Sequence, residues 1–110
     1  MIPQTARPPS KPGRPVAAFL RGVVVYVKWT QPEDDGGAAI TAYHIKYGKR
    51  ITRIFPNYDT VNVTGNATFF AFTDQLNRNT TYHFSVAAEN TAGQGEFSDI
   101  SDYVSTDVGK

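Results

Sequence analysis

The sequence predicts an all-β fold, a sandwich of about seven short antiparallel strands, and three observations carry that expectation. Apolar residues recur at every second position through most of the chain, clusters of turn formers separate these stretches at regular spacing, and no segment keeps the 3.6-residue period of a helix. Strands that each bury one face must pack as two layers around a shared core.

Five of the seven prolines (Pro3, Pro8, Pro9, Pro12, Pro15) fall at the start of the chain among Arg7, Lys11 and Arg14. Proline fixes φ and removes an amide donor, so this stretch favours extended polyproline II structure and is excluded from a central strand. Residues 1–14 are therefore expected to be a proline-rich linker, residues 15–107 the domain and residues 108–110 a tail. Pro9-Ser10-Lys11-Pro12 also has the P-x-x-P form of ligands for aromatic grooves, although inter-module linkers share that composition.

A short first strand is expected at 16–20. From Val23 to Thr30, Val23, Val25, Val27 and Trp29 share one face, with Lys28 and Thr30 on the other. The run QPEDDGG from Gln31 to Gly37 is dense in turn formers. From Ile40 to Tyr47, Tyr43, Ile45 and Tyr47 oppose His44 and Lys46. Residues 51–55 with 59–63, and then 67–73, are further candidate strands. The clearest alternation runs from Thr81 to Asn90, with Tyr82, Phe84, Val86 and Ala88 on one face and His83, Ser85 and Ala87 on the other. The run NTAGQG from Asn90 to Gly95 reads as a hairpin turn before a last strand at 97–106.

These residues resemble a fibronectin type III domain from Pro15 to Thr106. Trp29, Pro32, Asp35-Gly36-Gly37, Ile40 and Tyr43 are similar to the family's second strand, turn and third strand. Leu76, Thr80 and Tyr82 match its Leu-x-x-x-Thr-x-Tyr pattern, and Val86, Ala88, Asn90, Gly93 and Ser98 match the strand and hairpin that follow. The resemblance implies a seven-stranded antiparallel immunoglobulin-like β-sandwich of fibronectin type III topology. Within it Trp29 has the size to fill the space between sheets about 10 Å apart. Tyr82, placed after Leu76, is expected to form a tyrosine corner. Arg78 replaces the family's usual proline, and Phe72 lies one residue further from Leu76 than usual. A bulge is therefore expected around Thr73 to Gln75, with Phe70 and Phe72 inward rather than Phe69 and Ala71.

The chain is long enough for one core, and with no cysteine that core has no disulfide or zinc-thiolate support. A net charge of +1 gives no reason to expect nucleic acid as a partner, and no apolar run reaches the ~18 residues of a membrane span, so direct membrane insertion is not expected either. The charge is unevenly distributed. Residues 1–55 hold nine Lys/Arg against three Asp/Glu, and residues 56–110 two against seven, which predicts attraction between strands of opposite charge. Met1 begins a segment without the apolar stretch of a secretory signal, as a module cut from a longer chain would.

Catalytic, cofactor-binding and metal residues are not expected. No nucleophile motif is present, and Gly93-Gln94-Gly95 lacks the setting of a phosphate loop. The two histidines, His44 and His83, fall on the polar faces of strands that the family makes neighbours, which raises a metal or pH-sensitive pair against the plainer reading of solvated side chains. Lys46, Lys49, Arg50 and Arg53 cluster around Gly48 and are candidates for binding an acidic glycan or protein, weighed against an ordinary solvated hairpin. Asn90 and Gln94 are the candidate contacts in the loop that carries Arg-Gly-Asp in integrin-binding members of the family, a tripeptide missing here. Asn62, Asn66 and Asn79 head Asn-x-Thr sequons and point to a glycosylated, extracellular or cell-surface parent. The turn at 32–37 also looks like modules of giant intracellular muscle proteins.

The expected function is a non-catalytic protein-interaction module of a multidomain cell-surface adhesion or receptor protein. The alternatives are a structural spacer in a tandem array, extracellular or of the muscle type, and an accessory module of a secreted hydrolase. Expected partners are another protein or neighbouring modules of the same chain, with the isolated domain monomeric.

Overall fold

The computed structural model describes residues 5–49 and 58–106. Among the described residues eight strands follow in order: β1 (Val16–Arg21), β2 (Val24–Lys28), β3 (Ala42–Lys49), β4 (Tyr58–Thr64), β5 (Phe69–Phe72), β6 (Thr81–Asn90), β7 (Gly93–Gln94) and β8 (Val104–Ser105). They form two antiparallel sheets, one in the order β1-β2-β5 and one in the order β4-β3-β6 with β7 and β8 both paired to β6. The expected strand at 51–55 lies outside the described residues.

The alternating residues meet between the sheets. Val25, Val27, Trp29 and Phe72 face Tyr43, Ile45, Phe84, Val86 and Ala88, all buried. The Trp29 and Tyr43 rings meet edge to face at 5.2 Å between centroids, a favoured aromatic geometry. Phe72 is fully buried and Phe70 packs against the core, whereas Phe69 is exposed. No bulge forms at Thr73 to Gln75. The β2–β5 ladder ends in register at Val25 and Phe72, and the extra residue is taken up in a bend whose Thr73 and Asp74 amides donate to Gln75 Oε1. The register shift lies instead between Phe19 and Arg21, where β1 meets β2.

The stretch set apart above as linker is, from Arg7 onward, part of the packed body. Arg7, Ser10 and Gly13 donate their backbone N–H groups to the carbonyls of Gly36, Asp34 and Thr30, while Pro9, Pro12 and Pro15 are buried. Both sets recur every third residue, the repeat of a polyproline II helix. A segment rich in proline can therefore edge the sandwich without β pairing, since every third residue turns the same side inward. Gly36 and Gly95 permit the close approach: a Cβ would stand 1.9 Å from the Arg7 carbonyl oxygen at Gly36 and 2.0 Å from that of Pro9 at Gly95.

The last strand shows the same repeat. Gly95, Ser98 and Ser101 donate to the Ala88, Val86 and Phe84 carbonyls, and Val104 pairs with Tyr82. Three residues advance here for every two on β6, so only Val104–Ser105 of the expected 97–106 strand joins a regular ladder. The β6 amides left over by this mismatch are met by side chains: Phe84 and Val86 donate to Ser101 Oγ and Ser98 Oγ at 3.0 Å.

Opposite charges join the two threefold segments. Lys11 pairs with Asp99 at 3.2 Å and Arg14 with Asp102 at 2.5 Å, and Arg7 pairs with Asp34 at 2.6 Å. Gly36 N–H, followed by the Arg7 guanidinium, holds the Asp34 carboxyl below its ordinary range.

Candidate functional site

Of the four cations near Gly48, Arg50 and Arg53 lie outside the described residues. Lys49 ends β3, is exposed, and borders a cavity of about 320 Å³ with Asp59, Gln75, Asn77 and Tyr82. Lys46 stands apart. It projects from the outer face of the larger sheet with its ammonium 4.3 Å from the Phe97 ring centroid and 4.9 Å from that of Tyr58, two cation–π contacts. The mouth of the cavity is partly aromatic: Tyr47 lies beside Asp59, and burial, followed by the Asp59 and Tyr82 charges, raises the Tyr47 hydroxyl pKa.

Tyr82 closes the corner beneath. Its ring is buried and its hydroxyl accepts the Asn77 N–H at 2.7 Å, which fixes the turn after Leu76, itself buried. Asn79 in that turn has φ of 54°, a left-handed conformation that asparagine tolerates better than most residues.

In the opposite loop the two candidate contacts differ. Gln94 is exposed on β7. Asn90 is buried, with its amide nitrogen donating to the Arg7 and Asp35 carbonyls at 2.8 and 2.7 Å and its amide oxygen accepting from Ala92 N–H at 2.8 Å. Both amide hydrogens are committed within its own chain and the side chain is buried, so Asn90 ties the fold together and is not presented at the surface. Likewise the prolines of Pro9-Ser10-Lys11-Pro12 are buried and not presented to a groove.

The histidines do not meet. His44 stands opposite Ala87 and His83 opposite Gly48, four positions apart on β3, or roughly 13 Å at the rise of a strand. His44 bridges strands, with Nδ1 at 2.6 Å from Asn62 Oδ1 and Nε2 at 2.5 Å from Glu89 Oε1. His83 is buried between the Tyr58 and Tyr103 rings, with centroids 5.5 and 5.4 Å away, and its Nε2 lies 3.2 Å from the Tyr58 hydroxyl. Gly48, paired with both Tyr58 and His83, leaves the space through which these side chains meet. Burial, then the nearby Lys46 charge, lowers the His83 pKa. The period-two pattern placed His83 on the solvent side; the bulky residues on β4 and before β8 that cover it are far away in sequence, and no local signal marks them.

The three sequon asparagines, Asn62, Asn66 and Asn79, are all exposed. The described residues contain no group of three or more acidic, histidine or cysteine side chains able to hold a metal ion.

Comparison with known proteins gives concordant matches. The model of the fibronectin type III domain matches residues 10–103. A titin homolog of Caenorhabditis elegans is 35% identical over 89 residues, covering 81% of this chain and, to the nearest per cent, 0% of the relative. The human phosphatidylinositol phosphatase PTPRQ is 36% identical over 95 residues, covering 82% of this chain and 4% of that protein. The chain thus spans only a small fraction of either relative. Among solved structures, domains A168–A170 of titin superpose with a TM-score of 0.81 at 26% identity, covering 93% of this chain and 33% of that one.

Proposed function

This chain belongs to the fibronectin type III family, and on that premise we propose that it serves as a non-catalytic protein-interaction module of a multidomain cell-surface adhesion or receptor protein. The observation that carries the reading is the cavity beside Lys49, where that cation, the Asp59 carboxylate, the Gln75 and Asn77 carboxamides and the Tyr47 and Tyr82 rings converge at one end of the sandwich. Lys49, with Arg50 and Arg53 following it in the chain, supplies positive charge suited to an acidic protein or a sulfated glycan. Gln94 at the other end is the contact of the second exposed loop. The exposed sequons at Asn62, Asn66 and Asn79 accord with an extracellular setting. Heparin affinity tests the cationic end: retention should fall with salt and be lost in the Lys49→Glu/Arg50→Glu double variant, and indifference to both would remove this surface from the proposal.

A second reading, a spacer in a tandem array of the extracellular or muscle type, is favoured by the clamped N-terminal segment. Whatever precedes Arg7 would be held at a fixed angle by three ion pairs, three backbone bonds and the buried prolines. The pairs are exposed and screened by solvent, so each contributes little to stability. Lys11→Ala/Arg14→Ala should therefore hardly move the unfolding midpoint, whereas a chain starting at Gly13 should be clearly less stable. Equal midpoints for the shortened and full chains would defeat the clamp.

A further inference from the structure

An antiparallel sheet with one face on the core normally turns a polar face to water. The three-stranded sheet does not. Its strands read VAAFLR, VVYVK and FFAF. Val25, Val27 and Phe72 point inward and are fully buried. The alternate positions form cross-strand rows on the outer side, Val16–Lys28–Phe69 and Ala18–Tyr26–Ala71, with Leu20 beyond them. Val16 is 68% exposed, Leu20 47%, Tyr26 44% and Phe69 58%. The outer side of the other sheet, by contrast, carries His44, Lys46, Thr60, Asn62, Ser85 and Glu89. A contiguous exposed apolar surface of this kind marks a contact site more often than bare surface.

Its charge states what kind of contact. Arg7, Lys11 and Arg14 each have a carboxylate partner, yet Lys28, at the centre of the Val16–Phe69 row, has none among the described residues. β1, β2 and β5 contain no Asp or Glu, and the other cation of these strands, Arg21, lies at the far end of β1. Between Tyr26 and Phe69, with Lys28 and Thr68 on its border, lies a cavity of about 380 Å³, large enough for a bulky side chain. The same face of a second copy would supply no carboxylate for Lys28, since β1, β2 and β5 contain none.

We propose that the outer face of the β1-β2-β5 sheet docks a segment of a partner protein that places a bulky apolar side chain between Tyr26 and Phe69 and a neighbouring carboxylate on the Lys28 ammonium. The aromatic rings supply apolar contact area at small entropic cost, and the charge-assisted bond to Lys28 fixes orientation. This surface is separate from the cationic end at Lys49, so either can fail without the other.

The test is an NMR titration of the isotope-labelled protein with the capped peptide Gly-Phe-Glu-Leu-Gly and its twin carrying Gln for Glu. The acidic peptide should shift the amides of Val27, Lys28, Thr68 and Phe69 in a saturable manner, and the neutral twin should bind about tenfold more weakly, the effect of losing one charged hydrogen bond. Lys28→Gln should reduce binding to the level of the neutral peptide, and Phe69→Ser should abolish it, with the remaining spectrum unchanged in both variants because both side chains are exposed. Equal binding of the two peptides, shifts elsewhere on the domain, or no shift at about 5 mM peptide would overturn the proposal. Resonances of this face that move with protein concentration alone would overturn it in favour of self-association.

Discussion

The Asn90 side-chain amide donates to the Arg7 carbonyl across 83 residues of sequence and, with its second hydrogen, to the Asp35 carbonyl. One buried side chain thus ties three segments together: the N-terminal edge, the Asp34–Gly37 turn and the end of β6. Gly36, at φ of 80° with no room for a Cβ beside Arg7, belongs to the same junction.

Asn90→Ala should therefore cost about 2–4 kcal/mol, because it leaves buried carbonyls unsatisfied as well as removing their bonds. Asn90→Asp should be at least as harmful, since a carboxylate would present acceptors to two carbonyl oxygens. Denaturant unfolding measures both, and a loss under about 0.5 kcal/mol for the alanine variant would contradict the junction.

Tyr82→Phe isolates the corner bond. The ring stays in the core, and only the hydroxyl that accepts the Asn77 N–H is removed, so the expected loss is about 1–2 kcal/mol with an unchanged denaturant slope. A variant as stable as the parent would show that water satisfies Asn77 equally well.

The inward faces were legible in the sequence because a strand has period two and the core residues obey it: Tyr43, Ile45 and Tyr47 on β3, and Tyr82, Phe84, Val86 and Ala88 on β6. The edges were not, because they follow period three. Pro9, Pro12 and Pro15 carry that spacing in plain view, as do Ser98, Ser101 and Val104, yet proline-rich composition reads as linker unless the repeat is compared with what it could face. The candidate sites fared by distance. Lys49 could be placed from its neighbours in sequence, whereas the commitments of Asn90 and Lys46 depend on Arg7 and Phe97, which no local pattern connects to them.

Trp29→Ala should cost about 3–5 kcal/mol, the usual range for emptying an aromatic site in a core. Trp29 is buried, meets the Tyr43 ring edge to face and donates its backbone N–H to the Thr68 carbonyl, so the cavity would open between the sheets where collapse is hindered from both sides. A loss below about 1 kcal/mol would contradict this packing.

His83 makes stability depend on pH in a calculable direction. The groups facing it are Lys46 from β3, Tyr58 from β4 and Tyr103 from the segment before β8, with no carboxylate among these three, and its Nδ1 is buried without a hydrogen-bond partner among the described residues. Burial, then Lys46, holds its pKa in the folded state below the ordinary 6.5. Within the window between that lowered value and 6.5 the unfolded chain binds more protons than the folded one, so stability rises with pH. The contribution is complete above about 6.5, declines as pH falls below it, and changes no further once the folded-state pKa has been passed. Unfolding midpoints compared at about pH 7.5 and pH 5.5, above the range where most carboxylates titrate, should fall on acidification in the parent and fall less in His83→Gln. Parallel pH profiles for the two proteins would show that the imidazole is not the titrating group.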